Sequence, residues 1–199
     1  MSLANRAAGL NSRHARADLP RLIMITDRAR GGDPLRAASR LPAGSAVILR
    51  DYDHPDRARL ARDLAALCRR RRLLLLVAGD ARLAARVGAD GLHLPEAEAH
   101  RARAWRRRRP AWLITAAAHS VPALWRAWRA GADAALVGPV FATASHPGAR
   151  PLGPVRFAVL ARLSPLPVYA LGGIEESTAR RLTGTGMQGL AAIGAFSGA

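Results

Sequence analysis

The chain contains no lysine, so all 31 of its basic side chains are arginines. It has a single cysteine, Cys68, which excludes an intrachain disulfide and fits a reducing compartment. No apolar run is long enough to span a bilayer, and residues 1–20 lack the apolar core of a secretory signal. These absences predict a cytoplasmic protein that has no membrane partner.

The formal net charge of +17 is a value typical of proteins that bind nucleic acids or other polyanions. Two features favour another interpretation. Arginine, alanine, glycine and proline are all abundant, and all have GC-rich codons. In addition, the densest basic runs, residues 69–72 and 106–109, each precede an apolar segment, where a helix C-terminus is expected and cations are favourable. We therefore expect solvated helix ends and no nucleic-acid partner.

Short apolar segments alternate with helix-like segments along most of the chain. One helix-like segment, "PDRARLARDLAALCRRR", has Pro55 at its start and carries Leu60, Leu64 and Leu67 at helical spacing. Strand followed by helix, repeated, is typical of parallel strands with right-handed crossovers. The candidate strands cover residues 21–27, 45–51, 73–78, 91–94, 112–118, 134–140, 167–173 and 189–195.

Eight such strands predict a compact (β/α)8 TIM barrel, with residues 21–199 as its single domain. An open doubly wound sheet is the competing architecture, but no G-x-G-x-x-G follows the first strand. Only "FSGA" follows the last strand, so the eighth helix is expected to be short or missing. Residues 1–20 are an N-terminal extension that could form a short helix and cover the barrel bottom or this gap. A second copy of the chain, in a homodimer, is the alternative cover.

A weak internal repeat supports the repeated strand–helix unit. "VGADGLHL" (87–94), "AGADAALVG" (130–138) and "TGMQGLAAIG" (185–194) each have a glycine at the second position, where a helix is expected to end. In each segment, an Asp or Gln stands two residues after this glycine, directly before the strand.

The active site of such a barrel lies in the loops after the carboxyl ends of the strands. "GGI" after the seventh strand and "IGAF" after the eighth offer backbone N–H groups that can bind phosphate, although a tight turn alone would also explain the glycines. The sixth loop, residues 138–153, is unusually long and offers donors for an anion. The candidate binding residues are Thr143, Ser145, His146, Gly172, Gly173, Gly194 and Ala195.

His119 ends the fifth strand in "TAAAHS" and is the candidate proton carrier. A histidine can remove a proton and return it near neutral pH, and this one stands at the catalytic end of a strand. The alternative is a hydrogen-bonded core histidine with no chemical role. His146 is a second candidate, whereas His93 within "GLHLP" is expected to pack in the core.

The motifs of the chain resemble those of the thiamine phosphate synthase / TenI family over residues 21–196. The matching segments, in order, are "RLIMITDR", "VILRD", "VGADGLHLPE", "AAHS", "GADAALVGPVFATASHPGARPLG", "YALGGI" and "GLAAIGAF". The resemblance implies a (β/α)8 barrel that binds thiazole phosphate. Members either join a pyrimidine diphosphate to thiazole phosphate or isomerise the thiazole phosphate carboxylate. By the same resemblance, His119 matches the histidine that carries the proton in the tautomerases.

The chain departs from the synthase pattern at the diphosphate and magnesium positions. Where synthases of the family carry Gln-x-Arg-x-Lys, this chain has Ile48, Arg50 and Tyr52, so only Arg50 is kept as a substrate-binding residue. Asn-Asp after the third strand is replaced by Ala78 and Gly79. The remaining differences are Glu98 at the second magnesium position and Ser145-His146 in place of Thr-Lys.

Three hypotheses follow from this comparison. The first is a thiazole tautomerase that uses His119 as acid and base, needs no cofactor, and is favoured over the synthase by the losses at Tyr52 and Gly79. The second is a divergent thiamine phosphate synthase that requires Mg²⁺. The third is a binder or regulator of thiazole phosphate without catalytic activity.

Overall fold

The structure, a computed structural model, describes residues 16–144, 148 and 150–193. Within these residues, eight parallel strands pair in chain order and close into a barrel through the first and the eighth. The predicted TIM barrel is therefore confirmed. The strands are β1 (Leu22–Ile25), β2 (Ala46–Leu49), β3 (Leu74–Ala78), β4 (Gly91–Leu94), β5 (Leu113–Ala118), β6 (Ala134–Val137), β7 (Val168–Leu171) and β8 (Gly189–Ala192).

Helices surround the barrel and cover its outer face. They are α1 (Arg28–Gly31), α2 (Pro34–Ala38), α3 (Arg57–Arg71), α4 (Ala81–Val87), α5 (Ala102–Arg108), α6 (Val121–Arg129), α7 (Gly153–Leu163) and α8 (Glu176–Ala179), with 3₁₀ turns at Glu96–Arg101 and Arg180–Leu182. Helix α3 begins after Asp56, whose carboxylate accepts the backbone N–H of Arg59 at 3.1 Å, and it buries Leu60 and Leu64. None of the helices in the described residues has the length and apolar character to cross a bilayer.

The basic runs lie at helix ends, as the sequence predicts. Arg69, Arg70 and Arg71 occupy the last turn of α3, and Arg106 lies with two further arginines in the last turn of α5. The negative end of each helix dipole stabilises these positive charges.

The described part of the N-terminal extension lies against the bottom of the barrel. The Gln188 side chain accepts the backbone N–H of Arg16 at 3.1 Å and donates to its carbonyl at 3.0 Å. The Tyr169 hydroxyl donates to the carbonyl of Pro20 at 2.6 Å, and Leu19 is buried in the barrel interior. Residues 1–15 and 194–199 lie outside the described residues. The predictions of a short N-terminal helix and of a short or missing eighth helix concern these two segments.

The internal repeat has a common structural role in its first two copies. The carboxylate of Asp90 accepts the backbone N–H of Leu75 at 2.8 Å, and Asp133 accepts that of Ile114 at the same distance. Each aspartate therefore joins the start of its own strand to the preceding strand. In the third copy, Gln188 bonds to the N-terminal segment instead.

Glycine opens β4 and β8 because the barrel wall leaves no room for a side chain. A Cβ atom at Gly91 would lie 1.9 Å from the carbonyl oxygen of Leu113, and one at Gly189 would lie 2.2 Å from that of Arg21. Gly91 and Gly189 therefore permit neighbouring strands of the barrel to approach closely.

A buried polar pair lies inside the barrel near its catalytic end. His93 on β4 lies with its Nδ1 atom 2.9 Å from the hydroxyl of Thr115 on β5. Burial, together with the positive charge of Arg50, lowers the pKa of His93 from 6.5 to about 4. His93 is therefore a neutral packing residue, in agreement with the sequence prediction.

Replacing Asp133 with alanine should destabilise the barrel. The change leaves the backbone N–H of Ile114 without its acceptor and removes the ion pair with Arg106, a loss of about 2 kcal/mol in the free energy of unfolding. Urea denaturation measures this difference. Asp63→Ala is the control, because its carboxylate is exposed and 3.9 Å from Arg59, so it should change stability by less than about 0.5 kcal/mol. Equal losses in the two variants would contradict this role of Asp133.

The buried His93 should make stability depend on pH between 6.5 and about 4. In that range the unfolded chain binds a proton at this position and the folded chain does not. The free energy of unfolding therefore decreases as the pH falls, by a contribution on the order of 3 kcal/mol. His93→Asn should remove this contribution, which urea denaturation at several pH values can measure. The same pH dependence in both proteins would contradict it.

Candidate active site

A cavity of about 510 Å³ opens at the carboxyl ends of the strands, where the sequence predicts the site. His119 after β5 and Thr143 in the sixth loop line one part of it. Gly172 and Gly173 after β7 line another part, and Arg50 reaches it from β2. Five of the predicted site residues therefore share one cavity, because parallel strands in a closed barrel direct all these loops to the same end.

The glycine turn after β7 packs directly on the sixth loop. Gly172 and Gly173 have φ values of +93° and +63°, and a Cβ atom on Gly173 would lie 2.5 Å from the carbonyl oxygen of Ala142. In the part of the chain that the structure describes, no acceptor is bonded to the backbone N–H of Gly173 or Ile174. These two groups can therefore bind an anion at this edge of the cavity.

Helix α8 itself contributes less to this anion site than the sequence suggests. It has only four residues, and the carboxylate of Glu175 accepts the backbone N–H of Thr178 in a capping box. The exposed backbone of the glycine turn, and not the helix dipole, is the feature that favours phosphate here.

His119 is held at the top of β5 by two contacts. Its backbone N–H donates to Glu96 at 2.8 Å, and its Nδ1 lies 2.6 Å from the carbonyl oxygen of Gly138. Because a carbonyl oxygen can only accept, Nδ1 carries a proton in this arrangement. The Nε2 atom is thus left as the ring nitrogen that can meet a ligand, and because the residue is exposed and lines the cavity, His119 is not a core histidine.

A second cavity, of about 710 Å³, adjoins the first one above β1 and β2. Arg30 and Arg50 line both cavities, and Tyr52 lines the second. Both arginines form ion pairs with Asp27, the residue that precedes α1. A single carboxylate therefore fixes two guanidinium groups at the junction of the cavities.

The charge of Asp27 is maintained by its partners. Burial alone would raise the pKa of this carboxyl group, but its hydrogen bonds and charge interactions with Arg30 and Arg50 outweigh burial and hold the pKa below its usual value. Asp27 is thus ionised at neutral pH, and one carboxylate beside two guanidinium groups leaves the triad of Asp27, Arg30 and Arg50 with a net positive charge.

Tyr52 covers the corner between β2 and β3. Its ring carbon Cε1 would lie 3.2 Å from a Cβ atom on Gly79, so the ring fills the place of a side chain at position 79. The guanidinium of Arg57 lies over the ring, 5.2 Å from its centroid. Burial raises the pKa of the Tyr52 hydroxyl, against the opposing effect of Arg57 and Arg50.

The carboxylates after β4, where the resemblance places a magnesium ligand, are held by other groups. Among the described residues, no three His, Cys, Asp or Glu side chains converge on one point. Glu96 accepts from Arg126 and from the backbone of His119, and Glu98 is bonded to Arg101. Mg²⁺ is usually held by one or two carboxylates together with substrate phosphates and waters, and both carboxylates after β4 are already engaged by other groups.

Four predicted binding residues, Ser145, His146, Gly194 and Ala195, lie outside the described residues. The sequence reasoning did not identify Asp27, Arg30 or Arg57 as site residues. The spacing of Asp27 and Arg30, three residues apart directly after the first strand, is the signal that would have identified this pair.

Comparisons with known proteins identify relatives over nearly the whole chain. A family model described as thiamine monophosphate synthase matches residues 22–196. A putative thiamine-phosphate synthase 2 of Aquifex aeolicus is 34% identical over 90% of this chain and 98% of its own length. A thiamine-phosphate synthase of Chlorobium luteolum is 32% identical over 94% of this chain and 88% of its own length.

A solved structure is also similar to the chain. The thiamine phosphate pyrophosphorylase from Pyrococcus furiosus superposes with a TM-score of 0.76 at 27% identity, covering 90% of this chain and 91% of that one.

These relatives overturn one prediction from the sequence. The preference for an isomerase over a synthase is wrong, because the matching proteins are named synthases or a pyrophosphorylase. That preference rests on the side chains that differ from the synthase pattern after β2, β3 and β4. It takes no account of Asp27 and Arg30, which help to form a second cavity beside the first. The match over residues 22–196, together with the closed barrel, shows that the chain belongs to the thiamine monophosphate synthase family.

Proposed function

We propose that the chain is a thiamine-phosphate synthase, which joins a pyrimidine carrying a methylene diphosphate to a thiazole phosphate. The observation that carries this proposal is the pair of adjoining cavities that share Arg30 and Arg50. An isomerase acts on one substrate and needs one cavity, whereas a joining reaction holds two substrates side by side.

The thiazole phosphate is assigned to the first cavity. The free backbone N–H groups of Gly173 and Ile174 bind its phosphate, and Thr143 lies on the opposite loop. The Nε2 atom of His119 is a hydrogen-bond acceptor for a substrate in this cavity, which gives His119 a binding role in the joining reaction.

The diphosphate is assigned to the second cavity, next to the arginine pair. In the reaction, the thiazole nitrogen forms a bond to the methylene carbon of the pyrimidine. The bond from that carbon to the diphosphate oxygen breaks, and the diphosphate leaves with the electron pair. Arg50 stabilises the negative charge that develops on this leaving group, since its guanidinium lies at the junction of the cavities.

The direct test is incubation of the full chain with the pyrimidine diphosphate and thiazole phosphate, with and without Mg²⁺. Thiamine phosphate and inorganic diphosphate should appear in equal amounts, as measured by chromatography and a phosphate assay. Arg50→Gln should lower kcat/KM by roughly 100-fold, because one charged contact to the leaving group is lost.

Arg36→Gln is the matched control, since Arg36 is an exposed arginine on α2, outside both cavities. It should retain the activity of the unmodified chain. Binding of both substrates without any thiamine phosphate would contradict the proposal and favour a binder without catalytic activity.

Gly173→Ala should weaken the binding of thiazole phosphate by about tenfold, since its Cβ atom would collide with the carbonyl oxygen of Ala142 and displace the anion-binding turn. Isothermal titration calorimetry measures the Kd. Gly184→Ala is the control, because its φ of +79° imposes the same backbone strain while a Cβ atom there contacts nothing within 4 Å. Equal Kd values for the two variants would argue against the turn as the phosphate site.

A further inference from the structure

Among the described residues, the corner between β2 and β3 gathers no set of three side chains that could bind a metal ion, and Asp51 lies there with one buried carboxylate oxygen unpartnered. Gly79 provides no ligand, and the ring of Tyr52 fills the space above it. The nearest following carboxylate, Asp80, accepts the backbone N–H of Leu83 at 2.8 Å as the cap of α4. The acidic side chains after β4, Glu96 and Glu98, are both held by arginines.

The same corner holds a permanent positive charge. The Nη2 atom of Arg57 donates to the carbonyl oxygens of Ala78, at 2.7 Å, and Leu49, at 3.3 Å, so its guanidinium bridges the carboxyl ends of β3 and β2. Its Nε atom is buried and has no hydrogen-bond partner. No carboxylate is paired with Arg57 among the described residues. The positive charge of Arg57 is therefore not balanced by a direct ion pair within the described residues.

The position of Arg57 connects it with the second cavity. The guanidinium lies over the ring of Tyr52, which lines that cavity beside Arg50. Partial burial reduces the screening of its charge by water, so the field of Arg57 acts on an anion in the cavity through the Tyr52 ring. Arg57 is thus a positioning residue, which acts without direct contact with the ligand.

We infer that this chain binds the diphosphate of its substrate without a divalent cation, with Arg50 and Arg57 supplying the positive charge that a metal ion would otherwise provide. The inference rests on the proposed function for the identity of the diphosphate-bearing substrate. Its physical basis lies at the corner between β2 and β3. Position 79 has no side chain that could bind a metal ion, and the guanidinium of Arg57 is held beside it.

Binding of inorganic diphosphate to the full chain tests the inference without any catalytic step. Isothermal titration calorimetry in EDTA should give a measurable Kd, and added Mg²⁺ should not make binding tighter. Electron paramagnetic resonance of Mn²⁺ should detect no ion bound to the protein, with or without diphosphate. Binding that appears only with Mg²⁺, or Mn²⁺ bound in equal amount to the diphosphate, would overturn the inference.

Variants of Arg57 test the source of the charge. Arg57→Gln should weaken diphosphate binding in EDTA by about tenfold, and Arg57→Lys, which keeps the charge, should restore most of it. Arg62→Gln is the matched control, as an exposed arginine on the same helix. Thermal unfolding checks that each variant is folded. Equal losses in Arg57→Gln and Arg57→Lys would indicate a structural role only and would contradict the inference.

The synthase assay separates this inference from the proposed function. Thiamine phosphate formed only with Mg²⁺ would overturn the inference and leave the function standing. If no thiamine phosphate forms under either condition, the proposed function fails, and the calorimetry in EDTA alone decides whether diphosphate is bound without a metal ion.

Discussion

The pairing of β1 with β8 is the constraint on which the rest of the structure depends. It closes eight parallel strands into one ring and so brings the loops after all the strands to one end. Closure requires neighbouring strands to approach within the space that Gly91 and Gly189 leave open. Asp90 and Asp133 then join adjacent strands at the opposite end of the barrel. The positions of His119 and Arg50 in one cavity are a consequence of this geometry.

The upper end of the barrel contains two regions of different chemistry. The region after β7 offers bare backbone N–H groups, which suit a phosphate and need no charged side chain. The region after β1 and β2 offers guanidinium groups fixed by Asp27, with the guanidinium of Arg57 nearby over the Tyr52 ring. The two regions meet at Arg30 and Arg50, and this meeting point is where a reaction between two anionic substrates would take place.

The sequence predicted the first region better than the second, for a physical reason. Gly172 and Gly173 form a local turn, and a turn is visible in a short segment. The second region combines residues 27, 30, 50, 52, 57 and 79 from three strand–helix units, and no local pattern connects them. When each position was compared alone, the substitutions at Tyr52 and Gly79 indicated only losses. The structure shows them as one packing arrangement, in which the absence of a side chain at position 79 accommodates the Tyr52 ring.

The number and order of the strands, the arginines at the helix ends and the position of His119 at the carboxyl end of β5 are all predictable from the sequence alone. These depend on hydrophobic periodicity and on local turn chemistry, which neighbouring residues encode. The two ion pairs of Asp27, the adjoining cavities and the guanidinium of Arg57 beside the end of β3 become visible only in the folded barrel. These features depend on distances between side chains from different strand–helix units, and those distances exist only once the barrel has closed.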